Sequence, residues 1–232
     1  WQSLTDKYMV PGVDVIIKHP LQPQTIYIGT GFFTWGKDYG VGVLKSSNNG
    51  QTWAKTGLNT ETFRNDPNLA IRNIGYRIGG MVQHKNNPNI ILALVIFEYD
   101  KESKIMRTDN GGVSWQEVYK VTSPGNKQLF KIESHPLNPD FVLVSGSHIL
   151  KSNNFGLEWE QIDNCLIDTT THRFLRASTA MHPDDTTKIL VLTATSGLSD
   201  TIAGYNRLFL STDAGRSFDH VKWYSSADTA GY

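Results

Sequence analysis

The chain has 232 residues, of which 39% are apolar, and its 22 Lys plus Arg balance 22 Asp plus Glu. That length suits one all-β domain with a core of its own, and zero net charge gives no field to recruit nucleic acid or an anionic membrane. A single cysteine, Cys165, excludes an internal disulfide and a multi-cysteine zinc site, and no apolar run reaches the roughly 18 residues of a membrane-spanning helix.

Taken in order, the chain repeats two phrases. The first is an apolar strand, a His, a Pro/Asn turn and a second apolar strand. It reads VDVIIKHPLQPQTIYIGTG from Val13, IGGMVQHKNNPNIILALVIF from Ile78, LFKIESHPLNPDFVLVSGS from Leu129 and LRASTAMHPDDTTKILVLTAT from Leu175. β-Branched and aromatic runs broken by Pro, Asn and Gly predict strand–turn–strand. The spacings of the marker residues His19, His84, His135 and His182 suit four-stranded units with variable loops, and no 3.6-residue period supports a helical solenoid.

The second phrase follows the first each time: Ser/Thr-x-Asp/Asn-x-Gly-x-x-aromatic. Its copies are Ser46, Asn48, Gly50 and Trp53; Thr108, Asn110, Gly112 and Trp115; Ser152, Asn154, Gly156 and Trp159; and Ser211, Asp213, Gly215 and Phe218. The third-position Asp/Asn suits a turn closed by backbone amides, and the fifth-position Gly supplies a positive φ. The aromatic opens another short strand. Each unit then has four strands, A to D, with the His turn joining A to B and the frame joining C to D. The predicted blades cover about 13–58, 76–119, 128–163 and 174–224. Trp1-Gln-Ser-Leu4 resembles the strand that leaves a frame, so residues 1–6 read as a blade remnant and the chain as an arc of a larger propeller.

This frame resembles the Asp-box, or bacterial neuraminidase repeat, and its four copies extend the resemblance over nearly the whole chain. The resemblance implies a β-propeller with the box as scaffold. Sialidases, xyloglucanase-type glycoside hydrolases, sortilin-type receptors and many secreted bacterial repeat proteins share it, so it does not choose an activity. It implies an extracytoplasmic protein, secreted or at a cell surface, whose partner is a protein or a glycan. The absence of any Asn-x-Ser/Thr sequon fits a bacterial source.

The residues assign no catalytic group, cofactor or metal. One or two oxygen ligands per frame fall short of the six to eight that calcium takes, and four His in equivalent turns are expected at separate points of the ring. Arg72, Arg77, Arg173, Arg176 and Arg207 lack the sialidase Arg-Ile-Pro signature. The carboxylates Asp38, Glu98, Asp100 and Asp200 form no recognisable glycosidase pair. Connectivity gives the sharper expectation. The stereotyped A–B and C–D turns share one face, so the irregular B–C segments 32–40, 97–103 and 196–206 and D–A segments 57–76, 120–127 and 163–174 share the other. Phe32, Phe33, Trp35 and Tyr39, joined by Tyr99 and Tyr205, are the expected contact residues there. Non-catalytic binding through that face is the first expectation; a glycoside hydrolase with part of its site elsewhere is the second.

Overall fold

The structure is a computed structural model that describes residues 4–5, 12–31, 33–34, 37–38, 40–59, 77–97, 102–121, 128–163, 166, 172–197 and 206–221. All regular structure among these residues is β, in four antiparallel four-stranded sheets and one small hairpin. The first sheet comprises β1 (Val13–Lys18), β2 (Ile26–Thr30), β5 (Val43–Ser46) and β6 (Ala54–Lys55), with the hairpin β3 (Phe33–Thr34) and β4 (Lys37–Asp38) between β2 and β5. The second runs β7 (Arg77–Gln83), β8 (Ile91–Phe97), β9 (Glu102–Thr108) and β10 (Gln116–Lys120). The third runs β11 (Leu129–Ser134), β12 (Val142–Gly146), β13 (Ile149–Ser152) and β14 (Glu160–Gln161). The fourth runs β15 (His172–Met181), β16 (Ile189–Gly197), β17 (Asn206–Ser211) and β18 (Asp219–His220).

Both faces of the middle sheets are buried, which explains why β8 reads as an unbroken apolar run rather than an alternation. Tyr27, Val43, Ile78, Met81 and Ile91 fill the space between the first and second sheets. Leu92, Leu94, Ile105, Leu129 and Phe155 fill the next, and Leu143, Ile149, Ala177, Ile189 and Phe209 the last. The first strands β1, β7 and β11 lie side by side.

Neighbouring sheets are also keyed by one repeated polar tie. The residue before each frame hydroxyl is a cation in the first three sheets, and it donates to the fourth-position carbonyl of the next frame. Lys45 Nζ reaches Gly111 O at 3.4 Å, Arg107 Nη1 reaches Phe155 O, and Lys151 Nζ reaches Ala214 O at 3.3 Å. Tyr27 adds its hydroxyl to Gly111 O at 3.0 Å. These partners are what make a buried cation tolerable: Lys151, 5% exposed, needs both an acceptor and a counter-charge, and Glu160 supplies the latter at 3.0 Å.

Candidate functional site

The two ends of each sheet differ in chemistry, and the frames occupy one of them. In every frame the first-position hydroxyl donates to the third-position side-chain oxygen and accepts from the fifth-position N–H. The latter distances are 2.9 Å at Gly50, 3.0 Å at Gly112, 2.7 Å at Gly156 and 2.8 Å at Gly215. The third-position oxygen also accepts the seventh-position N–H, from Thr52, Ser114, Glu158 and Ser217. Two consecutive residues are left-handed: Gly50, Gly112, Gly156 and Gly215 at φ 81–91°, as the sequence suggests, and the variable fourth residues Asn49, Gly111, Phe155 and Ala214 as well. Hydrogen bonds from the Ser217 hydroxyl and N–H, then from Ser211, hold the Asp213 carboxyl well below the usual carboxylate range. The first-, third-, fifth- and seventh-position groups are thus paired within the frame, whereas the fourth-position carbonyls Gly111, Phe155 and Ala214 take their donors from the preceding sheet, and the Trp115 and Trp159 indole N–H groups are buried without a hydrogen-bond partner.

The His turns share this end. Each ring accepts backbone N–H bonds at Nδ1: from Leu21 and Gln22 at His19, Asn86 and Asn87 at His84, Leu137 and Asn138 at His135, and Asp184 at His182. An accepting Nδ1 puts the ring proton on Nε2. His84 Nε2 lies 3.1 Å from Asp140 Oδ1, and His135 Nε2 donates to His182 O at 2.9 Å. The four rings sit in four successive sheets, and the turns of the second, third and fourth sheets are tied one to the next through these contacts. Burial, then the charge of Lys45, pushes the His19 pKa down from its ordinary value. Among the described residues no three His, Cys, Asp or Glu side chains are grouped to hold a metal. An open cleft of about 400 Å³ on this end, lined by Lys45, Lys55, Thr56, Gly111 and Val113, is the seam between two sheets.

The other end carries the loops. Of the expected contact residues, Phe32, Trp35, Tyr39, Tyr99 and Tyr205 lie outside the described residues, as do the carboxylates Glu98, Asp100 and Asp200 and the arginine Arg72. Phe33 is placed by its backbone, which pairs with Asp38 in the β3–β4 hairpin. The base of that hairpin is held firmly. Thr30 Oγ1 donates to Gly42 O and accepts from Val41 N, both at 2.7 Å, while Asn59 Nδ2 donates to Val41 O. Arg77 pairs with Asp14 at 2.9 Å, tying the loop ends of β7 and β1 together. Arg176 instead stacks on Phe130, 4.5 Å from the ring centre.

Two features of this end escaped the sequence reading. In all four sheets the first strand is bulged at its loop end, between Val13/Val15, Ile78/Gly80, Leu129/Lys131 and Phe174/Arg176. Bulges at such rims re-aim side chains and often flank binding sites. The third sheet, moreover, replaces the long B–C loop by a tight turn at Ser147 and His148. A side chain at Gly146 would press to 2.2 Å from Gln128 O. His148 Nδ1 lies 3.3 Å from Asp163 Oδ2 and 3.0 Å from Gln161 Nε2, and Asp163 Oδ1 is buried without a hydrogen-bond partner. Burial, then the Asp163 charge, raises the Tyr119 pKa. A His outside the repeated turn, beside an abbreviated loop, was the available signal.

Four such sheets, stacked face to face and turned by the same two motifs, define a β-propeller architecture. No protein-family profile matches the chain. Among curated proteins it is similar to xyloglucanase Xgh74A of Acetivibrio thermocellus, 25% identical over 201 residues, covering 76% of this chain and 23% of that protein. A xyloglucanase of a Paenibacillus species is 27% identical over 132 residues, covering 54% of this chain and 12% of the other. Among solved structures, an ancestral GH74 enzyme superposes with a TM-score of 0.65 at 16% identity, over 92% of this chain and 26% of that one. The GH74 xyloglucanase of Xanthomonas campestris superposes at 0.60 and 15% identity, over 89% and 29%. The chain thus spans about a quarter of the length of Xgh74A and of these two structures.

Proposed function

We propose that this chain is part of an exported Asp-box propeller that binds a xyloglucan-class polysaccharide through its loop end. The observation that carries the reading is the similarity to xyloglucanase over 76% of the chain. The division between the two ends supports the placement. The turn end uses its polar groups within its own turns and in ties to the neighbouring sheets, whereas the loop end combines four bulged strand starts, an anchored hairpin and an aromatic-rich segment. Aromatic faces and fixed polar groups are what a sugar ring stacks and hydrogen-bonds against. In this reading Phe32, Phe33, Trp35 and Tyr39 form the platform with Tyr99 and Tyr205, and the polypeptide continues into further blades.

The xyloglucanase relatives also favour a second reading, in which the loop end is one wall of a glycoside hydrolase cleft and carboxylates beyond this chain complete it. Calorimetric titration with xyloglucan oligosaccharides, alongside a reducing-sugar assay, separates the two when both are run on the full-length gene product. Binding without hydrolysis supports the first reading. Hydrolysis overturns it in favour of the second, and neither binding nor hydrolysis overturns both.

A further inference from the structure

The polar ties between sheets stop at the fourth. Lys45, Arg107 and Lys151 hold equivalent places, one residue before the frame hydroxyl, and each meets a frame carbonyl of the following sheet. The fourth sheet has Leu210 at that place. Register extends the comparison. Leu190 pairs with Leu210 and Leu192 with Leu208, so the four leucines form the patch that Tyr27, Gly29, Val43 and Lys45 form on the first sheet. On the second sheet, Leu92, Leu94 and Ile105 in this patch are 0% exposed, and so are Leu143, Ser145 and Ile149 on the third. On the fourth, Leu190 is 41% and Leu192 51% exposed.

We infer that this leucine face seats one more β-sheet of the same polypeptide, and that the incoming sheet presents apolar side chains, with no frame carbonyl opposite Leu210. The inference rests on the reading of the chain as part of a longer propeller. Two observations choose the occupant. All three interfaces in the structure join this patch to the opposite face of the next sheet, a head-to-tail arrangement that a two-fold pairing of leucine faces would not reproduce. The missing cation then specifies the kind of sheet. A frame turn arriving here would bury a carbonyl that its three counterparts give to Lys or Arg, and Leu210 offers no donor.

The test places a thiol on the face, as Leu192→Cys in a Cys165→Ser background, and measures maleimide labelling in the 232-residue chain and in the full-length gene product. In the full-length protein labelling slows by about 100-fold, because the packed face must open before it reacts. Equal labelling in both overturns the inference. Protection of the 232-residue chain itself overturns it too: if it grows with concentration and a dimer mass appears, the occupant is a second copy, and if it is independent of concentration, residues 222–232 cover the face. The missing carbonyl is tested with Leu210→Lys in the full-length protein. A buried ammonium without an acceptor lowers Tm by about 4 °C or more, whereas an unchanged or raised Tm shows that a frame-bearing sheet follows. Neither readout involves a polysaccharide, so the outcome is independent of whether the loop end binds one.

Discussion

The turn end and the loop end of this propeller are built from the same strands and answer to different constraints. At the turn end one solution is used four times: a hydroxyl, an Asx oxygen and a left-handed pair in each frame, and an accepting imidazole in each His turn. At the loop end the four sheets share a bulged first strand but, among the described residues, the first has an anchored hairpin and the third a tight turn closed by His148 and Asp163. Repetition marks turns whose geometry is closed by local hydrogen bonds. Variation falls where loops on rigid scaffolds carry binding residues.

Core substitutions should strike both ends together and set the upper limit of effect. Leu143→Ala removes a side chain with 0% exposure between the third and fourth sheets. It should cost about 2–5 kcal/mol in urea unfolding, with oligosaccharide affinity unchanged once the protein is folded. Ser152→Ala tests the turn end alone. Its buried oxygen serves Asn154 and Gly156 in three hydrogen bonds. Its loss should lower stability by about 1–3 kcal/mol, again without touching affinity. A frame variant that folded normally but failed to bind would break the comparison.

Acid titration sharpens it within the turn end, because only the fourth frame has a carboxylate, Asp213, at its third position. The folded pKa of Asp213 is depressed below the ordinary 3.8, so the unfolded chain binds its proton first as pH falls. Its contribution is present above the unfolded value and lost as pH drops through the folded one. Asp213→Asn should flatten the loss of stability below about pH 4 while leaving pH 7 nearly unchanged. His19 is also depressed, so its neutral form supports the fold fully above its unfolded pKa of 6.5, and that support falls away as pH drops through the folded value. Urea midpoints across pH 3–7 measure both.

The turn end was legible in the sequence because its determinants are local. A Ser, an Asn and a Gly at fixed offsets suffice to close the turn, whichever residue stands at the fourth position. That fourth residue's left-handed backbone was hidden because Asn49, Gly111, Phe155 and Ala214 share no side-chain type, and only the closed turn imposes it. Strand order followed from the repeat, since the frame and the His turn divide each unit into four strands. The bulges and the pairing of His148 with Asp163 did not follow. They depend on how strands of different length end against one another, and residues 15 apart in sequence announce no contact. The ties of Lys45, Arg107 and Lys151 lay in plain view, one residue before each frame, but an isolated Lys or Arg reads as surface until its burial is known.

If recognition belongs to the loop end and folding to the turn end, variants at the two ends separate affinity from stability. The most direct test compares Trp35→Ala/Tyr39→Ala with Ser152→Ala, measuring xyloglucan-oligosaccharide affinity by calorimetry and Tm on the same preparations. The aromatic double variant should weaken binding at least about tenfold with stability within about 0.5 kcal/mol of the parent. The frame variant should lose stability and keep its affinity. An aromatic double variant that melts early yet binds as tightly as the parent would contradict it.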